Sequence, residues 1–251
     1  MHALHARLPK HFVLEERLER YRDAIETDPR SYAGAWREAC TPLDGRQAFR
    51  ELRVDLGCGK GGFIAQEAPA NPEYNYIAID IKNEMLVLAK RKLEAAYAEQ
   101  QLPLDNVRIM IDNIMYLREC FAETDRLDRI YINFCNPWPR GKHKKRRLTH
   151  PRQLVQYRML LDGEIWFKTD DDELFEESLE YFPEAGFRIT TMTRDLHSEP
   201  TLRYFETEHE HMFDEMGKKI KFLIAEPDPS VPEESLRELL QYSEKYSERK
   251  R

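Results

Sequence analysis

From Leu52 onward, short apolar runs alternate with longer stretches whose apolar positions recur at helical spacing. The short runs predict strands at Arg53–Leu56, Tyr74–Asp80, Val107–Ile111, Arg129–Phe134, Glu164–Lys168, Phe187–Thr193 and Lys219–Ala225. The clearest helix is Lys82–Tyr97, where Met85, Leu86, Leu88, Ala89 and Leu93 share one face. Further helices are expected over Phe63–Ala68, Pro151–Leu161 and Asp172–Tyr181. Strands alternating with helices read as βαβ units, so the chain is expected to be α/β, Rossmann-like, with a mostly parallel seven-stranded sheet flanked by helices. The first 50 residues differ: they look charged and helical, broken by Asp28-Pro29 and Thr41-Pro42. Residues after Pro227 read as a solvated tail with a short helix. The expected division is therefore a helical extension at 1–50, an α/β domain at 51–226 and a polar tail at 227–251.

Composition adds limits. Of 251 residues, 41% are hydrophobic and 34% charged, enough to bury a full core and unlike a disordered or fibrous chain. No run of about 18 apolar residues occurs and the N-terminus lacks an apolar signal core, so no membrane span and a cytoplasmic location are expected. Cys40, Cys58, Cys120 and Cys135 form no C-x-x-C pair and read as reduced thiols. The net charge of −7 argues against indiscriminate polyanion binding, yet six of the eight residues from Arg140 to Arg147 are Lys or Arg. A basic patch on an acidic chain points to one targeted anionic partner.

In open α/β sheets ligands sit beyond the carboxyl ends of the strands. The first strand there runs into Asp55-Leu56-Gly57-Cys58-Gly59-Lys60-Gly61-Gly62. Gly57, Gly59 and Gly62 match the dinucleotide fingerprint, with Asp80 placed at the end of the second strand to accept from ribose hydroxyls, so an NAD-dependent oxidoreductase is a candidate. Asp55 weighs against it: a carboxylate on the strand repels a pyrophosphate but suits the cationic methionine end of S-adenosylmethionine. No hydride-transfer constellation follows downstream. The V-D-L-G-C-G-K-G run resembles motif I of class I methyltransferases. The third strand ends at Asp112-Asn113, whose side chains can reach an adenine amine or simply cap the next turn.

The fourth strand runs into Asn136-Pro137-Trp138-Pro139 and the basic run. Prolines stiffen the exit, Trp138 offers a face for base stacking, and the cations suit phosphates. The segment N-F-C-N-P-W-P-R-G-K-H-K-K-R-R-L resembles the hallmark of bacterial tRNA (guanine-N7-)-methyltransferases. The resemblance continues at Phe167-Lys168-Thr169-Asp170, and at Thr207-Glu208-His209-Glu210 followed by Phe213, Gly217 and Ile220. It spans roughly residues 52–225.

The resemblance implies methyl transfer from S-adenosylmethionine to N7 of a tRNA guanosine, at variable-loop position 46. It implies cofactor contacts from Asp55, Gly57, Gly59, Asp80, Asn136 and Asn113, or Asp112 if the register shifts by one. Asn136 stands where relatives usually carry a catalytic or substrate-binding Asp. Guanine N7 bears a free lone pair, so no general base is needed and an Asn can still orient the base. Substrate contacts are implied for Trp138, Arg140, Asp170, Thr207, Glu208, His209 and Glu210. Acids at Asp170, Glu208 and Glu210 can accept from guanine N1–H and its 2-amino group, which favours guanine over adenine. His209-x-His211 is a poor chelating pair and the reaction needs no metal, so none is expected. The expected partner is tRNA, and the chain is expected as a monomer or homodimer. Two alternatives remain: a tRNA-binding pseudoenzyme, which Asn136 motivates, and a methyltransferase for another amine, which the basic loop disfavours.

Overall fold

The computed structural model describes residues 16, 25–43, 45, 48–202 and 205–248. The helical reading of the first 24 residues falls, Glu16 apart, outside the described residues. The described strands are β1 (Ile25–Glu26), β2 (Leu52–Leu56), β3 (Asn75–Asp80), β4 (Val107–Ile111), β5 (Leu127–Asn133), β6 (Leu161–Thr169), β7 (Phe187–Thr193) and β8 (Lys221–Pro227). The helices are α1 (Ile64–Ala70), α2 (Asn83–Glu99), α3 (Leu117–Cys120), α4 (Pro151–Leu160), α5 (Asp172–Glu184), α6 (Glu208–Glu215) and α7 (Glu233–Glu248).

All eight strands join one sheet in the order β1-β4-β3-β2-β5-β6-β8-β7. Every pairing is parallel except those of β8, which runs antiparallel between β6 and β7. The α/β, mostly parallel class is as the periodicity predicts; the count is corrected from seven strands to eight. The addition is β1, two residues paired with Ile109 and Met110 at the sheet edge. Two residues are too few to carry a period-2 signal.

Side chains alternate between two cores, as strand geometry requires. Leu52, Val54, Leu56, Ile77 and Ile79 face α4 and α5, meeting Leu154, Tyr157, Leu160, Phe175 and Phe182. Tyr76 and Ala78 face the other way, onto Ile64 and Ala68 of α1 and Leu86, Val87, Leu93 and Tyr97 of α2. Residues 25–43 close the first core. Trp36 is fully buried and stacks between Tyr32 and Phe121, and its indole N–H donates to the Cys120 carbonyl at 2.7 Å. Helix α7 is sixteen residues long and seats Leu236 and Leu240 on Val155 and Met159 of α4. The expected short, solvated helix is thus longer and docked, because its apolar residues line one face. Among the described residues no helix is long and apolar enough to cross a membrane.

Strand order reverses at β2, which pairs with β3 on one side and β5 on the other. That switch point is where an open α/β sheet leaves a crevice.

Candidate active site

Beyond the carboxyl end of β2 the chain turns through Gly57, Gly59 and Gly61, with φ of +78°, +54° and +73°. The amides of Gly57 and Cys58 both donate to the Ile79 carbonyl at 2.9 Å, tying the loop to β3. Asp80 completes the tie: one carboxylate oxygen accepts from Gly59 N at 3.0 Å and the other from Lys82 N at 2.9 Å. Of the glycines in this loop, Gly61 is the one with no room for a side chain. A Cβ there would stand 2.7 Å from the Ala89 Cβ of α2, in a left-handed backbone. Gly62, which completes the fingerprint by spacing, has neither constraint, so the match to G-x-G-x-x-G is one of spelling.

Asp55 lies under this loop. It is 1% exposed, and its Oδ2 has no hydrogen-bond partner. Burial, with the nearby Asp80 and Glu67 charges adding to it, pushes the carboxyl up to about 8. A buried carboxylate that the chain leaves unpaired is costly unless a cation completes it.

The opposite wall is the exit of β5, where two non-glycine residues, Phe134 and Trp138, adopt positive φ of +50° and +41°. Strain of this kind persists only where the surroundings hold it. The Asn136 Oδ1 accepts from Trp138 N at 3.0 Å, an Asx turn that fixes the bend. Arg147 fixes it from behind. Fully buried, it donates to the Pro137 carbonyl at 2.6 Å and pairs with Glu177 at 2.6 Å and Glu173 at 3.3 Å on α5. Lys144 also pairs with these two acids. Two of the six cations are therefore structural, whereas Arg140, Lys142 and Arg146 are exposed, with Arg146 over the Trp138 ring at 5.2 Å.

The third wall is the start of α6. The Thr207 hydroxyl accepts from Glu210 N at 3.2 Å, and the Glu210 carboxylate accepts from Thr207 N at 3.4 Å, a capping box. His209 stacks on Phe134, ring centroids 6.2 Å apart. Lys92 of α2 pairs with Glu208 at 2.6 Å and holds its carboxyl below the ordinary value.

These walls enclose a cavity of about 320 Å³. Of the residues singled out in the sequence, Asp55, Gly57, Gly59, Asp80, Asn136, Trp138, Thr207, Glu208 and His209 line it. Five do not. Asp112 accepts from the Cys120 thiol at 2.7 Å, and Asn113 caps the Ile114–Tyr116 turn through Met115 N at 3.1 Å. Arg140 is exposed on the basic loop, and Asp170 pairs with Lys218 at 2.8 Å. Glu210, expected as a guanine acceptor, is buried with its oxygens held by Lys168 and by His197 at 2.9 Å, because the capping box turns it inward. Lys60, Phe63, Arg146 and Leu148 line the cavity without having been singled out. Lys60 stands in the glycine run, and Arg146 and Leu148 in the segment after β5, so these three have a motif signal without an assigned contact; Phe63 has none. Among the described residues, His197, Glu206 and Glu210 bring potential ligand atoms within 4.8 Å of one another, but Glu210 already serves Lys168.

A pyrophosphate on this loop would meet the Asp55 carboxylate, whereas a cationic methyl donor would relieve it. The sheet order, with β8 antiparallel at its far side, and this acid at the switch point define a Rossmann-like methyltransferase. The profile of a family described as "Putative methyltransferase" matches residues 50–223. The chain is 55% identical over 208 residues to a tRNA (guanine-N(7)-)-methyltransferase of Clostridium beijerinckii, covering 82% of this chain and 92% of that one. It is 50% identical over 201 residues to the protein of that name in Acetivibrio thermocellus, covering 79% and 89%. Its fold resembles the solved 16S rRNA methyltransferase KamB, with a TM-score of 0.53 and 14% identity over 72% of this chain and 89% of the other. The chain belongs to the tRNA (guanine-N(7)-)-methyltransferase family.

Proposed function

We propose that this protein transfers a methyl group from S-adenosylmethionine to N7 of the guanosine at position 46 in the variable loop of tRNA, in the cytoplasm. The observation that carries the reading is the unpaired, buried Asp55 carboxylate opening into the same cavity as Asn136 and Trp138. The domain doing the chemistry is 51–226, flanked by extensions at 1–50 and 227–251.

When bound, the donor supplies an electrophilic methyl group on a sulfonium. Asp55 would hold its cationic methionine end, and Gly57 and Gly59 would admit it closely. Asp80 would accept from its ribose, and Asp112 or Asn113, at the end of β4, would meet its adenine. Asn136 orients guanine through its amide while keeping the bend at Trp138 N. Trp138 stacks on the base or a neighbour; Arg140, with Lys142 and Arg146, meets phosphates. Glu208 and Asp170 accept from the guanine N–H edge, and Thr207 and His209 form the wall beside it. N7 attacks with its own lone pair, so these groups act by position and charge rather than by removing a proton.

Labelled S-adenosylmethionine and unmodified tRNA test the proposal. Label at N7 of the variable-loop guanosine is expected. Label elsewhere, or tight tRNA binding without transfer, overturns it; the second outcome favours a tRNA-binding protein without catalysis.

A further inference from the structure

No strand carries the third wall of the cavity, the segment from Phe205 to Glu210. Four neighbours hold it, one of them His197, whose Nε2 lies 2.9 Å from the Glu210 Oε1. Gln66 Nε2 donates to the Glu206 carbonyl at 2.8 Å, and Lys92 pairs with Glu208 at 2.6 Å; both contacts are exposed to solvent. Exposed pairs of this kind contribute little. The third contact is buried. At the end of β6, Lys168 donates to the Phe205 carbonyl at 3.1 Å and to the Glu210 carboxylate, with neither side chain open to water.

Lys168 also reaches the opposite wall. Its carbonyl accepts from Phe134 N at 2.8 Å, and its ammonium lies 5.8 Å from the Phe134 ring centroid. Phe134 is the strained residue on which His209 stacks. One residue therefore grips both the exit of β5 and the capping box that begins α6. A buried ion pair often adds no more stability than apolar residues of the same volume; what this one adds is a fixed geometry between the two walls.

We propose that Lys168 is a positioning residue for methyl transfer: held by Glu210 and the Phe205 carbonyl, it sets Thr207, Glu208 and His209 against Phe134 and fixes the guanine-facing wall. The inference rests on the proposed function, which makes that wall the one facing guanine.

Lys168→Met in the full chain tests it, since methionine keeps the apolar stem and loses the donors. The kcat/KM for tRNA should fall about a hundredfold, mostly in kcat, as expected for a displaced wall. The Kd for S-adenosylmethionine, measured by calorimetry, should stay within about threefold. Leu236→Ala, on the face of α7 that packs against α4 and absent from the cavity lining, controls for lost stability; it should lower Tm and leave kcat/KM unchanged. Should Lys168→Met not fold, Glu210→Gln keeps the shape, loses the charge and should show the same split. Either variant with kcat/KM within about threefold of wild type, or with its whole loss in cofactor Kd, overturns the inference. A wild-type chain that does not methylate tRNA is a separate result: it removes the functional reading itself, and this inference with it.

Discussion

Asp55 shows how a single buried acid couples pH to binding. In the free protein, burial first and then the Asp80 and Glu67 charges lift its carboxyl to about 8, far above its unfolded value. Between the two values the folded protein holds a proton that the unfolded chain has released. The free protein therefore loses stability as pH rises through that window, by up to about 1.4 kcal/mol per pH unit. A cation bound over Asp55 favours the ionised form, so binding expels that proton. Affinity for S-adenosylmethionine should accordingly rise between pH 5.5 and 7.5, by up to about tenfold per unit. Calorimetry at several pH values measures this, and Asp55→Asn should both weaken binding and flatten most of the slope. A slope unchanged in the variant would assign the proton elsewhere. Asn136 raises a different residue-level question. Its Oδ1 holds the Trp138 bend, a task that a carboxylate oxygen performs equally well. Asn136→Asp should keep turnover within a few-fold of wild type or raise it, by stabilising the cationic product. Asn136→Ala loses both the turn and the orienting amide, and kcat should drop about tenfold or more. Steady-state rates on tRNA decide between these outcomes.

At the scale of elements, the glycine loop and α2 behave as one piece, because Gly61 packs directly against the backbone of Ala89. Gly61→Ala adds a clash and a left-handed Cβ together. It should destabilise the fold by about 2–4 kcal/mol in denaturant titration and weaken cofactor binding beyond what the stability loss explains. The strands and α2 were legible from periodicity alone, with ends shifted by a few residues. For example, β6 begins at Leu161 rather than Glu164, because Leu161 pairs with Leu127. Helix α6 is not among the predicted helices: residues 207–210 read only as a family motif, and contacts from α1, α2, β6 and His197 decide where it sits.

The whole molecule is acidic, with net charge −7, yet six of the eight residues from Arg140 to Arg147 are Lys or Arg. The association with tRNA should therefore weaken with salt through the exposed cations of the basic loop. Removing one phosphate contact lowers the slope of log K against log salt by about one. Lys142→Ala should do so, because Lys142 is exposed. Lys144→Ala should change the slope far less, because Glu173 and Glu177 already neutralise Lys144. Equal slopes for the two variants would refute this division of the loop. The sequence by itself determined the α/β class, seven of the eight strands and the family, because hydrophobic period and contiguous motifs are local properties of the chain. It also placed the glycine loop, Asp80, Asn136 and Trp138 at strand ends, where an open sheet collects its ligands. Only the tertiary structure decided which charges are buried in pairs and which face the cavity or solvent. Arg147, Lys144, Lys168 and Glu210 look like their neighbours in the sequence, yet all four are engaged by partners far along the chain. Burial and pairing depend on what folds against a residue, and that is set by contacts the local pattern does not encode.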